Sequence, residues 1–423
     1  MLKHYLIPSK RFLLTVHTLP QTHLKKLDTF VDKYTKKWAG LPKSATNVVI
    51  HLKEALDIPA ISAVYTEAHN TSHARTRLQG DKIINDVLDV TLAREDAYTH
   101  SAQTTTEAEK VFKETLQLNT MAGEIPTYTG EKARQLTNKF NADIRTKVRN
   151  ATRVGVQEKL SNHAKNLQVQ GNLLTLAKQE KEDMIWKSTM FQLKSGTLKF
   201  MLNCCIDTLP TPANLMRWKY TSSDKCKLCG NRGTTAHFLN CCKVMLDTNR
   251  YTWRHNNIIN FIVTNVDKSF KVYSDIPGWE APGGGTIPAE LCVTNLKPDI
   301  VIIDSAKKKL HIFELTVPLT TNIDERNSEK SRKYAPFITD ITGFDCTVNC
   351  FEVSATGFIS KRNKATLSTL HSFMSKEIKK STFMSNLNSL AWYGSYKIWL
   401  TRDEPIFSDP PFLIANISTN PTI

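Results

Sequence analysis

A chain of 423 residues supplies material for about two to four domains and at least one sizeable core. Its formal charge is +16, from 56 Lys+Arg against 40 Asp+Glu, which points to a polyanionic partner. No stretch approaches the length of a transmembrane helix, so membrane partners are not expected, and the apolar run Phe12–Val16 is too short for a signal peptide. The 9 cysteines are therefore read as reduced, in the cytosol or nucleus, with metal ligation as the use of any cluster.

In chain order, Leu24, Leu27, Val31, Tyr34 and Trp38 recur at helical spacing until Gly40 and Pro42 stop the pattern. A short helix is predicted over 47–56, and another after Pro59 carrying Ile61, Val64, Tyr65 and Ala68. Residues 1–100 thus read as a small all-α unit, with no paired-Asp polymerase motif. Residues 101–224 read as a basic helical linker. A helix is predicted over 107–118, a long one from Gly130 toward Asn166, and a mixed-charge one over 173–193. From Glu131 to Lys199 there are 14 Lys/Arg against 6 Asp/Glu, half of the total charge excess in about a sixth of the chain. Arg145, Arg149 and Arg153 stand four apart, share one helix face with Lys139 nearby, and are candidates for tracking nucleic-acid phosphates. A solvated helix face is the plainer alternative. Asp207, Pro210 and Pro212 mark a turn, with Asn214 as the cap of a short helix containing Trp218.

Residues 225–243 contain CKLCGNRGTTAHFLNCC. Cys226, Cys229, His237 and Cys242 have the spacing of a zinc knuckle: two thiolates on a C-x2-C turn, with Gly230 and Gly233 letting the backbone wrap the metal. Cys241 competes with Cys242 for the fourth position.

Residues 244–402 carry RYTWRH from Arg250 and an apolar helix, then a strand near 270–273 and a glycine-rich loop. Strands are predicted at 300–304, 310–317 and 346–354, with a helix over 323–337 before the last, and helical patterns over 361–375 and 383–399 follow. Strand, hairpin, strand, helix, strand is a mixed-sheet pattern. The Pro-rich tail 403–423 reads as extended or disordered. The fold class expected is α+β and multidomain: a helical N-terminal half, a small zinc knuckle and a C-terminal α/β core.

Within that core, Asp299 opens one strand, and Glu314 lies near the end of the next between Phe313 and Leu315. A carboxylate in an apolar strand is costly unless it meets a metal, a partner or water. Two such carboxylates with a nearby lysine can hold magnesium or manganese and activate water against a phosphodiester. The element Pro298-Asp299…Glu314-x-Thr316 resembles the PD-(D/E)xK nuclease core, with Thr316 where the lysine is usual. Lys330 and Lys333, three apart on the following helix, are the replacements.

The order of these parts resembles the C-terminal part of the polyprotein of non-LTR retrotransposons that carry a restriction-like endonuclease. There a reverse transcriptase is followed by a basic helical linker, a CCHC knuckle and a KPD…(D/E)…K nuclease. KKWAGLPKSATNVVIHL resembles the thumb segment of that polymerase, and RYTWRH resembles the run after the knuckle. The resemblance implies zinc at Cys226, Cys229, His237 and Cys242. It implies magnesium or manganese at Asp299 and Glu314, catalytic support from Lys330 or Lys333, and Lys297 as the basic residue before Pro298-Asp299. It further implies a nuclear protein that nicks a DNA target, with element RNA as another partner. A catalytically inactive zinc-knuckle binder of nucleic acid is the alternative.

Overall fold

A computed structural model describes residues 2–93, 100–179, 189–190, 193–320, 328, 330, 332–334, 341 and 343–412. It is a mixed helix-and-strand protein with one four-stranded sheet, and it divides into two compact units, Met1–Thr175 and Leu176–Ile423.

The first unit is helical: α1 (Ile7–Val16), α2 (Gln21–Ala39), α3 (Val48–His51), α4 (Ile61–Gln79), α5 (Lys82–Ala93), α6 (His100–Asn119) and α7 (Ala133–Asn166). Helix α2 stops where Gly40 adopts φ 67°, a left-handed cap that costs a glycine no Cβ clash. Helix α4 packs against α1, α2, α6 and α7. Ala74 and Leu78 of α4 meet Phe112 and Leu116 of α6 and Ile144 and Val148 of α7 in one buried cluster. The compact units divide after Thr175, whereas the sequence suggested divisions at 100 and 224. Thr104–Thr106, taken as linker residues, lie inside α6, and the basic helix α7 belongs to the same bundle as the N-terminal helices. A threonine run breaks a helix weakly, and the apolar periodicity of Phe112 and Leu116 overrides it.

A short helix, α8 (Asn172–Gln179), spans the division; the rest of the helix expected over 173–193 lies largely outside the described residues. The second unit continues with α9 (Ser195–Cys205) and α10 (Pro212–Arg217). Thr211, not Asn214, caps α10: its Oγ1 accepts from the Asn214 N–H at 3.1 Å, and Pro212 takes the first turn, where no N–H is needed. The Asn214 side chain donates instead to the Asp207 and Leu209 carbonyls. A π-helical turn, His237–Cys241, leads to α11 (Lys243–Asp247) and the apolar α12 (Arg250–Thr264).

The sheet runs β1 (Lys271–Ser274), β2 (Ile300–Asp304), β3 (Lys309–Thr316), β4 (Asp345–Glu352) in that spatial order. β1, β2 and β3 are antiparallel neighbours and β4 joins β3 in parallel, the mixed sheet expected. Side-chain alternation splits the core in two. Ile300, Ile302, Phe313 and Leu315 face α12, α13 (Lys364–Ser372) and α14 (Lys380–Leu400). Val301, Ile303, Leu310 and Ile312 face Ile287, Tyr334 and Ile341 on the other side. Of the helix expected over 323–337, Ser328, Lys330 and Arg332–Tyr334 are helical, and the remainder lies outside the described residues.

The tail, described to residue 412, runs without helix or strand past a turn at 401–403 and is anchored at points. Trp253 Nε1 donates to the Pro410 carbonyl at 2.8 Å, Phe407 packs edge-on to Trp253, and the buried Arg250 donates to the Thr401 and Glu404 carbonyls. Proline content excludes regular hydrogen bonding but not single anchoring contacts.

Candidate active site and zinc cluster

Strand register builds the site. Ile300 pairs with Phe313, so Asp299 and Glu314 occupy the next position along the antiparallel ladder. The two residues lock each other: the Asp299 N–H donates to Glu314 Oε1 at 2.8 Å, and the Leu315 N–H donates to Asp299 Oδ2 at 2.8 Å. Glu314 is fully buried on the Tyr334 face of the sheet, and Asp299 stands at the rim of the cleft. Lys330 Nζ lies 2.7 Å from Glu314 Oε2 and 3.8 Å from Asp299 Oδ2. Lys333 instead lies over the Tyr334 ring, 4.8 Å from its centroid, so the structure brings Lys330 to the carboxylates. Thr316, two residues after Glu314, has the alternate parity to Leu315 and carries no charge. The cation arrives from the following helix instead.

His255, on α12, was not picked out from sequence. Its Nε2 lies 3.2 Å from Asp299 Oδ2 and 3.3 Å from the Leu315 carbonyl. His255, Asp299, Leu315 and Lys330 line a cleft of about 620 Å³ that also takes in Asp275, Arg254 and Lys333, with Glu314 buried behind it.

The electrostatics are uneven. Burial, then the neighbouring Asp299 charge, pushes the Glu314 carboxyl up to about 7, against the pull of Lys330. Burial opposes the Asp299 charge too, but His255, Lys330 and the Leu315 N–H together hold it below the usual carboxylate range. His255 is raised: burial disfavours its charged form, and Asp299 more than restores it. Lys330 is likewise held protonated by Asp299 and Glu314 in spite of burial.

The second cluster is Cys226, Cys229, His237 and Cys242, whose ligand atoms all lie within 4.8 Å of one another; this Cys3His set can bind zinc. Cys242 is buried and converges with the others, whereas Cys241 is exposed, which decides between the two. Burial and the adjacent Cys226 and Cys229 push the Cys242 thiol up to about 11, a strain that a bound cation removes. Burial keeps His237 neutral, as a ligand must be.

Helix α12 connects the two centres. The Tyr251 hydroxyl accepts the Cys242 N–H at 3.1 Å and approaches the Phe238 carbonyl at 3.1 Å. Arg254, one residue before His255, donates through Nη1 to the Leu239 carbonyl at 3.0 Å and to Ser395 Oγ at 3.0 Å. Its Nη2 reaches Asn240 Oδ1 at 3.2 Å and the Val317 carbonyl, just past β3, at 3.4 Å. Its charge is buried with carbonyl, hydroxyl and amide oxygens as partners, and burial lowers its pKa to about 10. The signal in the sequence was two arginines four apart, Arg250 and Arg254, on a helix whose buried face is otherwise Trp253, Ile258 and Phe261.

The residues expected to track phosphate are placed differently. Arg153 Nε lies 2.7 Å from Glu67 Oε2, Arg149 Nε 3.7 Å from Glu67 Oε1, and Arg145 Nε donates to the Asn141 carbonyl of its own helix at 3.0 Å. Arg11 joins Glu67 from α1 at 2.7 Å. Arg149 and Arg153 thus pair with a buried carboxylate of the first unit while their side chains stay 42% and 58% exposed; helical spacing says which side chains share a face but not what the face meets. Lys297 is exposed, with its Nζ 3.8 Å from Asp275 Oδ1.

No protein-family profile and no curated protein matches the chain.

Proposed function

We propose that the protein is a metal-dependent endonuclease of the PD-(D/E)xK kind that nicks DNA, and that it descends from the nuclease end of a non-LTR retrotransposon polyprotein. The observation that carries this is the cross-strand pair Asp299–Glu314, with Lys330 2.7 Å from the buried Glu314 and with Asp299 and Lys330 both lining an open cleft. Two carboxylates share one lysine and one titratable histidine, so the centre has no positive charge left over for a phosphate. Oxygen donors of this kind suit magnesium or manganese, which take one or two carboxylates and complete their shell with water and phosphate oxygens. When bound there, such a cation neutralises the scissile phosphate and supplies a water nucleophile near neutral pH.

The chain's own groups have distinct tasks. Asp299 and Glu314 hold the cation. His255 keeps Asp299 ionised and oriented. Lys330, held protonated, stays on Glu314 until substrate arrives and then donates to the phosphate as the bond to the leaving oxygen breaks. The zinc-loaded Cys3His knuckle fixes the start of α12 and so the position of His255. DNA in the nucleus is the substrate, and element RNA a further partner.

Supercoiled plasmid incubated with magnesium or manganese tests the proposal directly. Wild type should convert it to the nicked form, and Asp299→Ala and Glu314→Ala should not. Equal nicking by all three would sink the assignment. Absence of nicking with salt-sensitive DNA binding retained would identify a binding module instead.

A further inference from the structure

Helix α2 carries a surface for which the cleft has no use. Phe30, Tyr34 and Trp38 are spaced four apart and so form one line along the helix. The apolar pattern predicted Tyr34 and Trp38 for the core, yet the line faces outward: Phe30 is 61% and Trp38 67% exposed, with Tyr34 half-buried between them. Neighbouring ring centroids are 4.8 Å (Phe30–Tyr34) and 6.1 Å (Tyr34–Trp38) apart, which makes a continuous aromatic ladder.

Lysines share that face. Lys26 stands one turn before Phe30, and Lys33 and Lys37 lie beside Tyr34 and Trp38; all three are exposed, and Lys33 Nζ is 5.8 Å from the Tyr34 centroid. Among the described residues, no ion pair engages Lys26, Lys33 or Lys37. The acids of α2 point the other way. Asp28 accepts from the Ser62 N–H at 3.1 Å, and the buried Asp32 is held by Asn47 at 2.6 Å and His51 at 3.0 Å. The outer face therefore offers aromatic rings and positive charge with no carboxylate among them.

We propose that this face of α2 binds single-stranded nucleic acid, the rings stacking on successive bases while the lysines follow the phosphates. Ring stacking needs open base faces, which a duplex keeps occupied by its own stacking. A membrane surface fits less well, because the lysines interleave with the rings on one face and would have to follow them into the bilayer. An acidic peptide would satisfy the lysines and leave the ladder without a role. No residue of the carboxylate cleft takes part, so the site stands independently of the nuclease reading.

Fluorescence anisotropy of a labelled oligo-dT of about 12 nucleotides, within the usual site size, provides the test. The full chain carries Asp299→Ala, so the probe survives whether or not the wild type cleaves. Phe30→Ala with Trp38→Ala should weaken single-strand binding by about tenfold or more and leave duplex binding unchanged. Phe30→Tyr with Trp38→Phe should restore it, since those rings still stack. Lys33→Gln with Lys37→Gln should flatten the salt dependence by about 0.7 in slope per lysine. All four positions are largely at the surface, and an unchanged circular dichroism melt verifies the fold. The proposal is overturned if the ring-free variant binds oligo-dT as tightly as its parent. It is equally overturned if duplex binding falls in parallel, or if phosphatidylserine vesicles rather than oligo-dT respond to the substitutions.

Discussion

Each unit contains a buried carboxylate, and the two are treated in opposite ways. Glu67, in the helical bundle, meets Arg11 and Arg153 at 2.7 Å each, with Arg149 at 3.7 Å. Burial alone would raise it, but hydrogen bonds from Arg153 and Arg11 hold it below the ordinary range. Glu314, in the sheet, shares its single lysine with Asp299 and is pushed up to about 7. The first centre has more cations than anions and fastens α1, α4 and α7 together. The second sets two carboxylates against Lys330 and His255 with no cation in excess, so a substrate's phosphate charge there would call for a bound cation. Burial of an acid is therefore uninformative by itself, and the local charge balance separates a fastener from a site.

The sharpest way to break this comparison is to remove the acids. Glu314→Ala or Asp299→Ala should lower plasmid nicking by about a thousandfold, since several kcal/mol of charge stabilisation goes with the cation. Their thermal melts should shift little or upward, because a poorly compensated charge is removed. Glu67→Ala should do the reverse: nicking per folded molecule unchanged, and stability lowered by about 2 kcal/mol, a figure already discounted because Arg11, Arg149 and Arg153 are partly exposed. A Glu67→Ala variant that folds normally but cannot nick would reverse the roles assigned to the two centres. Next in size is the choice between lysines. Lys330→Ala should cost about a hundredfold in nicking, the scale of one transition-state donor, and Lys333→Ala only a few-fold.

Legibility from sequence followed the same divide. The strand pair could be read because its alternation is strict: Ile300–Asp304 and Leu310 onward sit where the pattern put them, and one extra residue of register would have turned Glu314 to the other face. The Cys3His spacing was legible because four ligands fall within 17 residues, from Cys226 to Cys242. His255 was not. It reaches Asp299 across 44 residues of chain, a distance no local pattern encodes. Nor was the fate of Arg149 and Arg153, which depended on Glu67 lying 86 residues upstream of Arg153. The outward turn of Trp38 was misread because an aromatic at helical spacing scores as core whichever way its face looks.

The zinc cluster is expected to act on the cleft through α12, by way of Tyr251 and Arg254. Purified protein should carry one zinc per chain, Cys242→Ser should lose it, and Cys241→Ser should keep it. Arg254→Met should leave zinc bound and lower nicking by about tenfold to a hundredfold, the usual cost of losing an outer-shell partner. A zinc-free protein that nicks at the full rate would cut this link, whatever the role of the carboxylates.

The smallest expected effect distinguishes the two carboxylates by sign. Glu314 has a folded pKa of about 7 against an ordinary 4.5, so between those values the folded chain binds more protons than the unfolded one. Its contribution to stability is complete below 4.5 and is lost as pH rises through about 7. Glu67 is lowered, so its contribution is present above 4.5 and is lost as pH falls below that value. Denaturant melts of the metal-free protein should therefore show the second unit weakening from pH 5 to 8, by no more than about 1.4 kcal/mol per pH unit. The Glu67 part of the first unit's stability should be lost only in acid, and Glu67→Gln isolates it from His51, where Asp32 outweighs burial and raises the pKa, so that its contribution is lost as pH rises. Magnesium competes with the proton on Glu314, so adding it should flatten the slope of the second unit and leave the first unchanged. Glu314→Gln should reduce the slope to the part that His255 contributes and abolish its response to magnesium. A slope that stays undiminished in that variant would assign the titration to His255 and leave Glu314 as silent as Glu67 at neutral pH.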